Sequence, residues 1–245
     1  MRIISIANQK GGTAKSTTAA ALAQAAAYKG KRCLAIDLDP QGNLSFFLAA
    51  DTARAGAFEM LEGQRVEVQH AAGGLDVIPA SWNLQTISSS RGSARRLKSA
   101  LEPIAAQYDL IIIDTPPTAG ELQYNALMAS TDLIIPLQAD IVGLQGLYQM
   151  ADTARQIKQG NNALTLTGYI LTRHGGRSTL ARQMAETIKA RAAEMGIPFL
   201  LAIREAVAIR EAQTLQRSLY EYAPNSKPAA DYLQLLNCIS DSKRF

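Results

Sequence analysis

Ten consecutive residues, Asn8-Gln9-Lys10-Gly11-Gly12-Thr13-Ala14-Lys15-Ser16-Thr17, bring together two glycines, two lysines and three hydroxyls. They lie between an apolar run and a helical pattern, where a phosphate-binding loop belongs. Successive backbone N–H groups and a helix N-terminus aimed at one point favour an anion there. In that loop Lys15 would reach the β/γ-phosphates of a nucleotide, and the Ser16 hydroxyl would ligate Mg²⁺. Mg²⁺ takes oxygen ligands and keeps several waters, so further carboxylates are expected close by. Asp37 and Asp39 follow the apolar run Leu34-Ala35-Ile36, and Asp114 follows Leu110-Ile111-Ile112-Ile113. The strict pattern GxxxxGK[ST] is not met, because its two glycines would fall at Gln9 and Ala14. A Gly-Gly-x-x-Lys-Ser string alone also serves as an ordinary loop-to-helix turn; the strand-end aspartates decide for phosphate.

These groups meet only if the chain forms an open parallel sheet, in which ligands bind at the carboxyl ends of the strands. The sequence predicts one. Strands are expected at Ile3–Ala7, Cys33–Ile36, Leu75–Ile78, Leu110–Ile113, Leu133–Leu137, Leu166–Leu171 and Phe199–Ile203. Helices are expected at Thr17–Lys29, Ala94–Gln107, Glu121–Ser130, Leu144–Gln159, Thr179–Met195 and Pro228–Ile239. Alternation of short apolar runs with longer helical patterns is the βαβ signature. Several runs are apolar on both faces, as strands covered on each side must be. In the fifth helix, Leu180, Met184, Ile188 and Met195 are read as a core-facing stripe. Residues 49–74 are left open. The expected architecture is α/β, one doubly wound, mostly parallel sheet with helices on both faces, in a single domain over residues 1–245.

Composition narrows the function. Of the 245 residues 47% are hydrophobic and only 19% charged, which excludes disorder as the main state. No apolar run approaches the ~18 residues of a membrane span, and no secretory leader is read at the start. Cys33 and Cys238 have no metal-ligand spacing; they are read as buried free thiols, fitting a reducing cytoplasm. His70 and His174 receive no role, and Trp82 is read as a core or near-core residue. The net charge of +4 is unevenly spread. Residues 1–150 hold 12 Lys and Arg against 13 Asp and Glu, residues 151–245 hold 13 against 8, so the surplus of five lies late in the chain. That concentration favours an acidic partner such as nucleic acid or an anionic membrane. Arg173, Arg177, Arg182, Lys189, Arg204, Arg210 and Arg217 are the candidates for a DNA-phosphate patch, with Arg182 and Lys189 on the outer face of the fifth helix.

The loop Lys10-Gly11-Gly12-Thr13-Ala14-Lys15-Ser16-Thr17 resembles the deviant Walker A motif of the ParA/MinD ATPases, whose mark is the early second lysine. Asp37-Leu38-Asp39-Pro40-Gln41-Gly42-Asn43 is similar to the ParA switch I, and Ile113-Asp114-Thr115-Pro116-Pro117 to its Walker B and switch II. Asp132–Leu137, Gly143–Leu147, Arg210-Glu211-Ala212 and Ala230-Asp231-Tyr232-Leu233 extend the likeness over essentially the whole chain. Starting at the first strand, the chain resembles the short partition proteins without an N-terminal DNA-reading domain. The resemblance implies a Mg²⁺- and ATP-dependent homodimer that binds DNA non-specifically. It also implies a ParB-like stimulating partner with a short basic segment, and a cytoplasmic, nucleoid-associated protein. It implies that Lys10 reaches the partner copy's phosphates, that Asp39 orients the attacking water, and that Asp37 and Asp114 hold the Mg²⁺ shell with Ser16.

Two departures from the family pattern stand out. Ala14 occupies a glycine position, where a positive φ would cost a Cβ-bearing residue about 1 kcal/mol or more. Arg204-Glu205 replaces the Pro-Arg that helps hold adenine in relatives. Two alternatives follow: a nucleotide-binding switch with little hydrolysis, or a MinD-like membrane-surface ATPase. Against the second, Leu233, Leu236 and Ile239 are expected on the core face of the last helix. Too few residues follow it to make an amphipathic lipid-binding one.

Overall fold

The computed structural model describes residues 1–71, 73–87, 93–174 and 179–241. Eight strands form one sheet: β1 (Arg2–Ile6), β2 (Cys33–Asp37), β3 (Gln69–Ala71), β4 (Leu75–Ile78), β5 (Leu110–Asp114), β6 (Asp132–Leu137), β7 (Thr165–His174) and β8 (Phe199–Arg204). Their order is β3-β4-β2-β5-β1-β6-β7-β8. All pairings are parallel except β3 with β4 at one edge. The α-helices are α1 (Lys15–Tyr28), α2 (Asn43–Phe47), α3 (Ala57–Leu61), α4 (Arg96–Leu101), α5 (Glu121–Ala129), α6 (Ile141–Lys158), α7 (Thr179–Glu194), α8 (Val207–Thr214), α9 (Leu219–Tyr222) and α10 (Lys227–Asp241).

The period of two along each strand sorts side chains into separate cores. Ile4 and Ile6 of β1, Cys33 and Ala35 of β2 and Ile112 of β5 pack under α1 and α10. Ile3, Leu34, Ile36, Ile111 and Ile113 point the other way, against α3, α4 and α5. Leu133, Ile135 and Leu137 of β6 continue that second face beneath α6 and α7. Every residue of β2, β5 and β6 is buried, which explains why these runs lack polar alternation.

Four expectations need correction. Residues Ala94–Gln107 do not form one helix: α4 stops at Leu101, and Ala105–Gln107 is a separate 3₁₀ turn. Pro103 lacks an N–H, and its ring would clash with a carbonyl one turn back. On α7 the buried line is Ala185, Ile188 and Ala192, whereas Leu180 is 70% exposed and Met195 lies beyond the helix. Periodicity identified the inward direction, but the first turn of α7 lies off the core it was expected to cover. Trp82 is 66% exposed at the start of a 3₁₀ turn, Trp82–Thr86, in which Leu84 is the buried anchor. The open stretch 49–74 contains α3 and β3. Cys33 is buried, and Cys238 is only half-buried.

Candidate functional site: a phosphate loop facing buried carboxylates

The register of the sheet builds the site. Ile6, the last residue of β1, lies beside Asp114 of β5, which lies beside Asp37 of β2. Three neighbouring strands therefore deliver the phosphate loop and two carboxylates to one edge. Ala14 precedes α1 with φ 65° and ψ 35°, the left-handed conformation, and Gly12 has φ 74°. This conformation turns the loop back onto the helix axis. No side chain caps α1 and its first turn holds no acidic residue, so its leading N–H groups are left for an anion.

The loop is clamped from beneath. Asn8 is fully buried; its amide donates to Pro136 O at 2.8 Å, and its Oδ1 accepts from Lys10 N at 3.0 Å. Gly146 of α6 is required there, because a Cβ would lie 2.9 Å from Asn8 Oδ1. Thr172 Oγ1 contacts Thr13 O at 3.2 Å, and the Gln138 amide donates to Gly12 O at 2.8 Å. Such prior fixing lowers the ordering cost when phosphate arrives.

Lys15 is 6% exposed, and its Nζ donates to Lys10 O at 3.0 Å. Burial depresses its pKa, while Asp114 and Asp39 partly restore it. Asp37 Oδ2 accepts from Ser45 N at 2.8 Å and Ser45 Oγ at 2.7 Å, and Oδ1 accepts from Asp39 N at 3.1 Å. Burial nevertheless pushes Asp37 up to about 6 against these hydrogen bonds. Asp114 is driven further upward by burial and by Asp37, opposed by the Ser16 hydroxyl and Lys15. Its Oδ2 is buried without a hydrogen-bond partner. Asp39 is 5% exposed and accepts from Gln41 N at 3.0 Å.

An unpartnered carboxylate oxygen beside a serine hydroxyl is a fit for Mg²⁺. Among the described residues no group of three or more His, Cys, Asp or Glu could hold a metal by itself. Mg²⁺ suits such a site, since it binds through one or two protein oxygens, waters and substrate phosphates.

Lys10 points to a partner that sequence reading missed. Its Nζ is 2.9 and 3.1 Å from the two oxygens of Asp140. Asp140 is also the N-cap of α6, accepting from Gly143 N. Burial opposes its ionisation, but the bonds from Lys10 and Gly143 more than offset this and hold its pKa low. The N-cap pattern Asp-x-x-Gly was readable; the contact with a lysine 130 positions earlier was not.

The comparisons match this geometry. A family described as an AAA domain covers residues 1–166. The chromosome-partitioning ATPase Soj of Thermus thermophilus is 35% identical, over 96% of this chain and 94% of its own. The sporulation initiation inhibitor protein Soj of Bacillus subtilis is also 35% identical, over 96% of both chains. The chain belongs to the ParA/Soj family of partitioning ATPases. Cobyrinic acid a,c-diamide synthase of Mycobacterium smegmatis, solved with an ATP analogue and magnesium, has the same fold. It superposes with a TM-score of 0.83 at 30% identity, covering 98% of this chain and 94% of that one.

The sequence-derived DNA candidates differ in their surroundings. Arg173, with φ 52°, and Arg210 line a cavity beside Ala14 and Thr17, together with Arg204, Glu205 and Tyr232. Arg204 is tied to Asp231, and Arg210 lies 3.6 Å from Glu205. Lys189 is half-buried, paired with Glu186 at 2.8 Å and 5.1 Å from the Phe199 ring centre. It is therefore not the open surface charge expected from its helix position. Arg182 and Arg217 are exposed without carboxylate partners among the described residues. Arg177 lies outside the described residues.

Proposed function

We propose that this chain is a partitioning ATPase whose ATP-bound form is a sandwich homodimer that holds DNA without reading sequence. The observation that carries the reading is the preformed phosphate loop facing Asp37, Asp39 and Asp114, with Asp114 Oδ2 unpartnered. Lys10 to Thr17 enclose the phosphates through backbone N–H groups and the Lys15 ammonium. Ser16, Asp37 and Asp114 would hold Mg²⁺, which would supply positive charge against the phosphates. Asp39 orients the attacking water. Lys10 leaves Asp140 and reaches the phosphates of the facing copy, adding positive charge only after assembly. The cavity lined by Glu205 and Arg210 receives the base.

Hydrolysis, stimulated by a ParB-like partner with a basic segment, resets the dimer. The protein acts in the cytoplasm on the nucleoid, as a single unit over residues 1–245. The membrane-surface alternative is disfavoured because Tyr232, Leu235, Leu236 and Ile239 of α10 are at most 3% exposed and serve the core. No helix of the described residues is long and apolar enough to cross a membrane.

Asp39→Ala separates the steps. In light scattering with Mg²⁺ and ATP it should remain dimeric and DNA-bound while turnover is lost. Wild-type turnover would remove Asp39 from the mechanism. A monomer that binds ATP and DNA equally well would reject the sandwich.

A further inference from the structure

On the opposite side of the molecule from the phosphate loop, a trough of about 900 Å³ opens between the α3–β3 connection and α4 with its following turn. Tyr108, two residues before β5 begins, lies in its lining, so the trough is at the amino ends of the strands. Its walls include Val66 and Val68 on one side and Ala100 and Ile104 on the other, all half-buried. The second wall runs from Arg95 along α4 to the 3₁₀ turn at Ala105–Gln107.

The charge of the lining is one-sided. Arg65, Arg95 and Arg96 border the trough, and no Asp or Glu does. Glu62 and Glu67, the nearest carboxylates in sequence to Arg65, are already paired with Arg96 and Arg54. Arg95 donates to the Gly160 carbonyl and has no ion pair among the described residues. Arg65 is exposed, without a hydrogen bond or ion pair among the described residues.

We propose that this trough is a docking site for an acidic amphipathic helix of a partner protein, separate from the nucleotide site. Apolar residues of the helix at i, i+3 or i+4, and i+7 fill the trough, and its carboxylates meet Arg65 and Arg95. Arginine's fork allows two parallel hydrogen bonds to each carboxylate, which fixes the helix's register as well as attracting it. The N–H of Leu97 in α4 donates to Asn125 Oδ1 of α5 at 3.0 Å, and α5 begins directly after the Asp114–Gly120 segment. The trough wall is thereby joined to the segment leaving the nucleotide site.

The test uses the full chain and a fluorescein-labelled 16-residue amphipathic peptide with leucines on one face and glutamates on the other. Anisotropy should give a dissociation constant in the tens of micromolar, weakening as salt rises. Ala100→Glu in the trough and Arg65→Glu on its rim should each weaken binding at least tenfold. Arg65 is exposed, so that variant keeps its fold, checked by an unchanged melting curve, and should retain ATP turnover. Undetectable binding by the wild type, or equal binding by Arg65→Glu, would overturn the proposal. So would equal binding of a peptide with lysines for glutamates. Arg65-dependent flotation with anionic vesicles, or self-association abolished by Ala100→Glu, would assign the trough to lipid or to a second copy instead.

Discussion

The phosphate loop and the basic C-terminal segment both carry charge that the sequence displays openly, yet the fold treats them oppositely. Around the loop, three carboxylates and Lys15 are nearly sealed from solvent, and Asp114 keeps an oxygen with no partner. Past residue 150, Lys189, Arg204 and Arg210 are already matched by Glu186, Asp231 and Glu205. Counting charges shows where an anion is attracted. Only unmet hydrogen-bonding and charge show where one is held. Burial makes the first region costly to leave empty and strong when filled, because a low local dielectric magnifies each interaction. In the second region the Lys189–Glu186 and Arg210–Glu205 pairs stay partly solvated and contribute little.

The strongest test of this contrast is Lys15→Ala. A buried ammonium with no substitute in the loop should be worth at least about 100-fold in ATP affinity by calorimetry, the scale of losing a buried charged contact. Unchanged affinity would remove the loop from the phosphate site.

Proton linkage gives the next largest effect. Asp37, at about 6, and Asp114, raised by burial, both hold protons above the ordinary carboxyl range when the site is empty. Mg²⁺ requires them ionised, so Mg²⁺-dependent ATP affinity should rise with pH through the Asp37 value of about 6. Below about 6 it should fall by roughly tenfold per pH unit for each proton taken up. For the empty chain the sign reverses. The native state holds the Asp37 proton more tightly than the unfolded chain, so this group's contribution to stability declines as pH rises from about 4 to 6. Melting curves with and without Mg²⁺-ATP should diverge across that window, and parallel curves would refute the linkage.

In the basic segment the effects are smaller and unequal. Arg182→Glu should weaken ATP-dependent DNA binding several-fold and flatten the log–log salt slope by about 0.9 for a lost phosphate contact. Lys189→Glu should do less, since Glu186 already meets that charge. Equal effects would show that pairing in the free protein does not decide which cations face DNA.

Ala14→Gly is the finest test. The left-handed conformation costs an alanine about 1–2 kcal/mol, while glycine adds about 0.5–1 kcal/mol of unfolded-state entropy. The melting temperature should be equal or about 2–4 °C higher, with turnover unchanged or raised. Reduced turnover would show that the loop relies on the alanine methyl group.

Reading the sequence located the loop and its aspartates because that information is local. A phosphate loop needs contiguous backbone and strand ends fall where apolar runs stop, so Lys15, Asp37 and Asp114 could be placed from neighbours alone. At Ala14, where the family pattern has glycine, the structure has a positive φ. Asn8, Ser45 and Asp140 were not found. Each acts through a partner that the sequence sets apart: Pro136 for Asn8, Asp37 for Ser45, Lys10 for Asp140. Trp82 and Leu180 show a further limit. Hydrophobicity marks a residue as suited to burial, but burial depends on whether an element still overlies the core at that point.

For this chain, then, periodicity and punctuation determined the alternation of strands and helices and the residues delivered to the strand ends. The tertiary structure decided which charges remain uncompensated. It left Asp114 Oδ2 and Arg65 open and paired Lys10, Lys189 and Arg204 with carboxylates. The physical reason is range: backbone conformation and side-chain alternation are set within a few residues, whereas compensation of charge depends on whichever groups the fold brings within about 4 Å.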